Sequence, residues 1–199
     1  RGAVRRGATL LDQEQVSNIQ LTGSHASVTT QNGTYTAERL VVTAGAWIPG
    51  LLPDLELPLA LERQMLHWFR PVSQAENHEA SCCPLSLWEF DDDGIFATFP
   101  NLGDGVKCGI HHEGEIVDVP ESVNREIGAD EDRMVRDLLA AIQPLAAGEL
   151  VESRVCIYTN TPDHHFLIDR HPEHDRIVIA SPCSGHGFKY TPAIGAILA

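Results

Sequence analysis

Apolar and polar residues alternate along much of the first quarter of the chain. The alternation is clear at 16–21 and again at 26–30. This period of two is typical of strands that bury one face. Asn32-Gly33 then gives a strong two-residue hairpin signal. The pattern predicts a β-meander over residues 9–42, with a first turn at 22–24 and a buried run at 39–42 that leads into small residues.

The middle of the chain changes from strand patterns to a helix pattern. We expect a strand over 59–71, a hairpin formed by 88–90 and 95–99 around the acidic turn 91–93, and a further strand around 106–110. In the first of these strands His67 is expected to be half-exposed or hydrogen-bonded. Apolar residues then recur at helical spacing between 134 and 142, which predicts an amphipathic helix that packs on a core.

The last quarter reads as strand, turn, strand, glycine loop and helix. The elements are a strand at 156–160, a turn at Pro162-Asp163, strands at 166–168 and 177–180, and the sequence Ser184-Gly185-His186-Gly187. We expect that last sequence to open a helix. The N-terminus of a helix offers unpaired N–H groups and a positive dipole end to an anion.

The charge balance excludes some classes of partner. The 199 residues contain 28 Asp and Glu against 14 Lys and Arg, a formal net charge of −14. We therefore expect neither nucleic acid nor an anionic membrane surface as a partner. No apolar run approaches the length of a membrane span. Five cysteines without regular spacing do not form a disulfide framework, which favours a reducing compartment and predicts a cytoplasmic protein.

A group of histidines in the last quarter raises the alternative of a metal site. His164, His165, His171 and His174 lie close in sequence, together with two aspartates. They straddle a strand and a proline turn, and their spacing differs from that of helical metal motifs such as H-E-x-x-H. We therefore predict no metal.

Four other features each leave two interpretations open. Small residues at 43–47 after a buried strand suit a cofactor's pyrophosphate or tight packing. Lys107 on a strand is either a solvent lysine or a site residue. Cys156 is either a buried structural thiol or a reactive one, and Lys189 either a surface lysine or a carboxylate ligand.

A longer motif carries a resemblance that favours the site interpretation of these features. Residues 156–174 read C-x-Y-T-x-T-P-D-x-x-F-x-I-D-x-H-P-x-H, and S-G-H-G-F-K follows at 184–189. Ala44-Gly45-Ala46-Trp47 and Gly105-Val106-Lys107 stand at matching places. Together these segments resemble the monomeric sarcosine oxidase and N-methyltryptophan oxidase family, and the similarity covers nearly the whole chain.

The resemblance implies roles for individual residues. Cys156 would form the covalent thioether to FAD, Lys107 would lie over the flavin and assist oxygen, and His111 and Tyr158 would line the substrate pocket. Lys189 would receive the substrate carboxylate. The remaining residues that it implies for cofactor binding are the backbone donors Gly185, His186, Gly187 and Phe188, and in the flavin domain Val16, Thr43, Ala44, Gly45 and Trp47.

The fold implied by the resemblance is α+β. Residues 55–150 would form an antiparallel-sheet substrate domain, and 1–54 with 151–199 would form an incomplete FAD-binding, Rossmann-type domain that lacks the dinucleotide fingerprint. We therefore expect a C-terminal fragment that is inactive and binds no FAD alone. Exposed sheet edges would favour its homodimerisation.

The activity implied by the resemblance is oxidation of N-methyl amino acids by molecular oxygen, with release of formaldehyde and hydrogen peroxide. Two alternatives stay open: a non-covalent FAD enzyme of the glycine or D-amino-acid oxidase type, and a non-catalytic binding module. Pro182 and Cys183 depart from the family pattern, and Phe96 and Ala97 stand where an active-site tyrosine is common. These departures bear on the identity of the substrate.

Overall fold

The computed structural model describes residues 2–22, 25–90 and 94–199. The predicted turn at 22–24 and the acidic turn at 91–93 therefore lie wholly or mainly outside the described residues. The chain divides into two compact units. Unit 1 comprises 1–57, 166–182 and 190–199, and unit 2 comprises 58–165 and 183–189.

The elements follow the predicted order. The strands are β1 (Val16–Thr22), β2 (His25–Thr30), β3 (Thr34–Ala37), β4 (Leu40–Val42), β5 (Ala60–Phe69), β6 (Ser86–Phe90), β7 (Gly94–Phe99), β8 (Val106–His111), β9 (Ile116–Val117), β10 (Leu150–Asn160), β11 (Leu167–His171) and β12 (His174–Ser181). The α-helices are α1 (Gly2–Arg5), α2 (Ile48–Leu51), α3 (Ala129–Ile142) and α4 (Thr191–Leu198). Among the described residues, no helix is both long enough and apolar enough to span a membrane.

Unit 1 contains two three-stranded sheets. The first has the order β1-β2-β3 and is antiparallel, and the Thr30 N–H donates to Gly33 O at 2.9 Å across the predicted Asn32-Gly33 hairpin. The second has the order β11-β12-β4, in which β12 and β4 run parallel. Buried Val42, Ile177 and Ile179 lie along that parallel pair, which explains the continuous apolar runs seen in the sequence.

Unit 2 is built on one antiparallel sheet of order β10-β5-β8-β7-β6, with β9 paired to β5. Helix α3 covers one face of this sheet, and its Val135 and Leu139 pack against strand residues that include Phe69, Val106 and Cys108. The alternation predicted for the strand around 106–110 is confirmed, because Val106 and Cys108 enter this core while Lys107 does not. Strand β10 belongs to this sheet, although the sequence had assigned residues 151–199 to the flavin domain.

Two polar side chains of β5 connect the sheet to the start of α3. Arg63 bonds Glu131 at 2.8 Å and also donates to two backbone carbonyls before the helix. His67 lies further along the same face of β5, and its Nε2 is 3.0 Å from Asp132 Oδ1. His67 is fully buried rather than half-exposed, and its Nδ1 has no hydrogen-bond partner among the described residues.

The prediction that Ser184-Gly185-His186-Gly187 opens a helix is wrong. Ser184 and Gly185 have φ values of 45° and 74°, a left-handed conformation that a right-handed helix does not accept. The segment is instead a tight turn, followed by a 3₁₀ turn at Phe188–Tyr190. Helix α4 begins only at Thr191, so Lys189 precedes it.

The burial of His67 predicts a pH-dependent stability. Burial lowers the folded-state pKa of His67, more than Asp132 raises it. The unfolded chain binds a proton near the ordinary pKa of about 6.5, so stability is present above that pH and is lost as the pH falls through it. We expect the free energy of unfolding, measured by urea denaturation, to fall less steeply below about pH 7 in His67→Gln than in the natural protein.

The exposed His165 offers a matched control. His165→Gln should leave the pH dependence of the free energy of unfolding unchanged. Parallel curves for His67→Gln and the natural protein would show that His67 is not the group responsible.

Candidate active site

Several predicted site residues lie on the face of the unit 2 sheet opposite α3, here called the site face. Cys156 and Tyr158 on β10 stand opposite Gln64 and Glu62 of β5 in the antiparallel register. Lys107 on β8 stands opposite Trp68 of β5. Since residues paired across strands share a face and residues two apart do as well, all of these side chains project from the same side of the sheet. Predicted site residues from two strands, β8 and β10, thereby share one face of the sheet on either side of β5.

Tyr158 and His111 form the centre of the site face. The Tyr158 hydroxyl lies 3.1 Å from His111 Nδ1, and the two rings meet edge to face with centroids 5.4 Å apart. Burial lowers the pKa of His111 to about 4, and the charges of neighbouring histidines add to this effect. Burial also raises the pKa of Tyr158 to about 12. Both groups are therefore uncharged at neutral pH.

Further imidazole rings surround this pair. The His112 ring lies 4.1 Å from the His111 ring and 4.2 Å from the His164 ring, centroid to centroid. His186 Nε2 in turn lies 2.9 Å from the His164 carbonyl oxygen. His112 and His164 both have positive φ, 61° and 57°. Such conformations are uncommon for residues other than glycine and concentrate at functional sites.

Lys107 and Cys156 occupy the other end of the site face. The Lys107 ammonium lies 4.8 Å from the Phe99 ring centroid and 5.5 Å from the Trp68 centroid, which are cation–π distances. Burial raises the pKa of the Cys156 thiol, while the charges of Lys107 and Arg125 partly oppose that effect. Cys156 is therefore a protonated, half-buried thiol with cationic neighbours.

The loop 183–189 is tied to the end of β10 through Ser184. Its backbone N–H donates to Thr159 O at 3.0 Å, and its hydroxyl donates to His165 O at 2.8 Å. Ser184 is fully buried. These bonds fix the loop against the strand that carries Cys156 and Tyr158.

The predicted backbone donors of this loop are partly used within it. The N–H groups of His186 and Gly187 both donate to Cys183 O at 3.1 Å, and Lys189 Nζ donates to His186 O at 2.9 Å. Phe188 is 94% exposed. The loop is therefore a preformed turn on which Lys189 and Phe188 stand at the surface of unit 2.

Gly185 is required for the close approach of the loop to the central pair. A Cβ at this position would lie 2.5 Å from Tyr158 Cε2 and 2.7 Å from His111 Cε1, and φ is +74°. Any larger residue would clash with both rings and adopt a strained backbone. The glycine thus allows loop 183–189 to close directly over Tyr158 and His111.

The remaining predicted cofactor residues belong to unit 1. Val16 is the first residue of β1, and Thr43 and Ala44 follow β4. Gly45, with φ of 53°, begins a 3₁₀ turn that ends at Trp47. The strand-to-turn transition expected from the small residues is present there.

Sequence reasoning missed the polar residues around the central pair. Glu62 is 4% exposed and contacts Gln64, His112, Gly114 and Asn160 through its carboxylate. The available signal was the polar run Glu62-Arg63-Gln64 inside a predicted strand. Among the described residues, no group of three or more histidine, cysteine or acidic side chains is placed to hold a metal ion.

Comparison with known proteins gives a family match over the whole chain. The family model described as "FAD dependent oxidoreductase" matches residues 1–199. A monomeric sarcosine oxidase from Bacillus sp. (strain NS-129) is 39% identical over 202 residues, which cover 99% of this chain and 51% of the relative. An N-methyl-L-tryptophan oxidase from Yersinia pestis (strain Pestoides F) is 31% identical, with 100% and 53% covered. The chain thus spans about half the length of the curated relatives it matches.

Solved structures agree on the fold. The open form of NikD, an unusual amino acid oxidase essential for nikkomycin biosynthesis, superposes with a TM-score of 0.80 at 21% identity, covering 98% of this chain and 52% of that one. The fructosyl amine:oxygen oxidoreductase Amadoriase I of Aspergillus fumigatus has a TM-score of 0.74 at 26% identity, with 92% and 44% covered. From the family match, the relatives and the shared fold, the chain belongs to the FAD-dependent oxidoreductases, and within them to the monomeric sarcosine oxidase and N-methyltryptophan oxidase family.

Proposed function

We propose that the protein containing this chain oxidises N-methyl amino acids with molecular oxygen and water, yielding the free amino acid, formaldehyde and hydrogen peroxide. One observation carries the proposal: Cys156, Tyr158, Lys107 and His111 project from a single sheet face, in a chain whose relatives are oxidases of sarcosine and N-methyltryptophan. Unit 1 is proposed to contribute to an FAD-binding domain, and unit 2, which includes β10, to the substrate domain.

The residues of the site face fit a flavin. A half-buried thiol at Cys156 and a cation at Lys107 accompany an aromatic and uncharged centre, and a turn with exposed Phe188 stands beside them. When bound, FAD supplies the two-electron acceptor that the oxidation of a C–N bond needs and that oxygen can regenerate. Cys156 is proposed to hold it covalently, and the turn 185–188 is proposed to meet its polar edge.

The uncharged pair His111 and Tyr158 is suited to bind a substrate amine in its neutral form. A neutral imidazole and a phenol can each accept or donate a hydrogen bond without introducing a charge. An imidazolium at the same place would add a positive charge, and neither of its ring nitrogens could accept a hydrogen bond. The low pKa of His111, about 4, keeps the ring neutral throughout the physiological range.

The two lysines are proposed to have different roles. Lys189, held by the His186 carbonyl at 2.9 Å, would receive the substrate carboxylate as a point charge. Lys107 is confined by the rings of Trp68 and Phe99 and would place a fixed positive charge where oxygen is reduced. A fixed cation stabilises the negative charge that develops during that step.

The direct test of this function is product analysis with the intact protein. Incubation with sarcosine and with N-methyltryptophan, separately, should consume oxygen and release formaldehyde and hydrogen peroxide in equal amounts. Oxygen consumption with D-amino acids or glycine alone would favour the glycine or D-amino-acid oxidase alternative. Absence of both activities from protein that retains flavin would overturn the proposal.

The proposed thioether gives a separate prediction. After acid denaturation and washing, flavin colour should stay with the natural protein and be lost from Cys156→Ser. Cys183→Ser is the matched control, because Cys183 is also half-buried but lies in the loop beyond β12. Colour released from the natural protein would contradict covalent attachment while leaving non-covalent flavin chemistry intact.

Ala97 predicts room for a substrate side chain. It lies on β7 between Ile95 and Phe99, whose partners on β8 are His111 and Lys107, so the smallest side chain of this row stands midway between two functional pairs. We expect N-methyltryptophan to be a better substrate than sarcosine. Ala97→Tyr should lower kcat/KM for N-methyltryptophan at least about tenfold, a typical effect of filling a substrate pocket.

The same variant should affect sarcosine much less, because that substrate has no side chain to place there. Ala80→Tyr, at an exposed position, controls for the added ring. Equal losses for the two substrates in Ala97→Tyr would show that Ala97 does not face the substrate side chain.

A further inference from the structure

A buried carboxylate lies beside the central pair, and the proposed reaction gives it no role. Glu62 is on the site face of β5, directly opposite Tyr158 of β10 and Ile116 of β9. It is 4% exposed, and the only salt-bridge partner found for it among the described residues is His112. A buried charge without a lysine or arginine partner is costly unless hydrogen-bond donors compensate it.

Four donors converge on this carboxylate. Oε1 accepts from the Gly114 N–H at 2.8 Å and from Gln64 Nε2 at 2.7 Å. Oε2 accepts from Asn160 Nδ2 at 2.5 Å and lies 3.3 Å from His112 Nδ1. Three of these groups can only donate from the atoms that make the contact, which is the environment of an ionised carboxylate.

The Asn160 amide shows how strongly donors are directed to Glu62. Asn160 is buried and turns its NH₂ group to the carboxylate, while its Oδ1 has no hydrogen-bond partner among the described residues. An unpaired buried oxygen is unfavourable. The amide nevertheless keeps this orientation, because the bond to an ionised acceptor is the stronger of its two opportunities.

The contact with His112 connects Glu62 to the central pair. Because an ionised carboxylate can only accept, His112 Nδ1 must carry the hydrogen in this contact. The His112 ring then stays fixed in its place, 4.1 Å from the His111 ring and 5.3 Å from the Tyr158 ring. Its left-handed backbone, with φ of 61°, indicates that surrounding contacts impose this position.

We propose that Glu62 is a positioning residue that fixes the Nδ1–H tautomer of His112 and thereby holds the His111–Tyr158 pair in register. With His112 fixed, the Tyr158 hydroxyl donates to His111 Nδ1, and His111 carries its hydrogen on Nε2. His111 then offers an Nε2–H donor to the substrate. This last step rests on the proposed function, whereas the tautomer of His112 does not.

The experiment is ¹⁵N nuclear magnetic resonance of the intact protein labelled at histidine, which distinguishes the two neutral tautomers of each ring. His112→Gln assigns the His112 signals. We expect Nδ1–H for His112 and Nε2–H for His111 in the natural protein. A His112 ring protonated only on Nε2 would overturn the proposal without any variant, so the test does not depend on whether a mutant folds.

Glu62→Gln supplies the second arm, because it keeps the volume and removes the charge. We expect loss of the Nδ1–H tautomer of His112, a changed His111 spectrum and a turnover about tenfold lower, the usual effect of removing a group that orients a contact residue. Glu115→Gln, at an exposed position, should change none of these. Unchanged imidazole spectra in folded Glu62→Gln would contradict the proposal.

The two readouts separate this proposal from the proposed function. The natural protein failing to oxidise any N-methyl amino acid, with the His112 and His111 tautomers as predicted, would overturn the function alone. Turnover of N-methyl amino acids with His112 protonated on Nε2 would overturn the role of Glu62 alone.

Discussion

The site depends on strand β5, whose two faces have different roles. One face of this strand lies under α3, where Phe69 enters the core and Arg63 and His67 bond the helix. The residues that alternate with them along the strand, including Glu62 and Trp68, must then project from the other face. A slip of one residue would bury Glu62 and Trp68 against α3 and expose Phe69. Packing of an apolar core thus fixes which chemical groups reach the site face.

The centre of the site face is polar but uncharged. His111 and Tyr158 are both neutral at physiological pH because burial shifts their pKa values in opposite directions. The nearby formal charges are held in place, Lys107 against two aromatic rings and Glu62 by hydrogen-bond donors. Such an arrangement suits an uncharged polar ligand at the centre and leaves the Lys107 ammonium as a fixed positive charge beside it.

Much of the fold could be predicted from hydrophobic periodicity. The strands β1 to β3, the β6–β7 hairpin and the amphipathic helix α3 follow their predicted patterns, whereas the run at 39–42 leaves the predicted meander because β4 pairs with β12. The glycine loop could not be predicted correctly, since positive φ at Ser184 is imposed by its bonds to Thr159 and His165. Those partners are distant in sequence, and no local propensity signals them.

The sequence predicted the site residues that lie in recognisable motifs and missed the others. The alternation along β8 placed Lys107 away from the core, and the spacing of Cys156 and Tyr158 placed them on one face. That these residues meet depends on the strand order β10-β5-β8, which is a tertiary property. Glu62, His112 and Asn160 were missed for the same reason, because their contacts join positions about 50 and 98 residues apart.

The central claim is that the cofactor ring and the substrate both bind to the site face of the unit 2 sheet. A crystal structure of the intact protein with FAD and a carboxylate analogue of an N-methyl amino acid tests it most directly. The account predicts a flavin ring bonded to Cys156, with the analogue in contact with His111 and Tyr158. A flavin ring remote from Cys156 and Lys107, or an analogue that contacts neither His111 nor Tyr158, would contradict it.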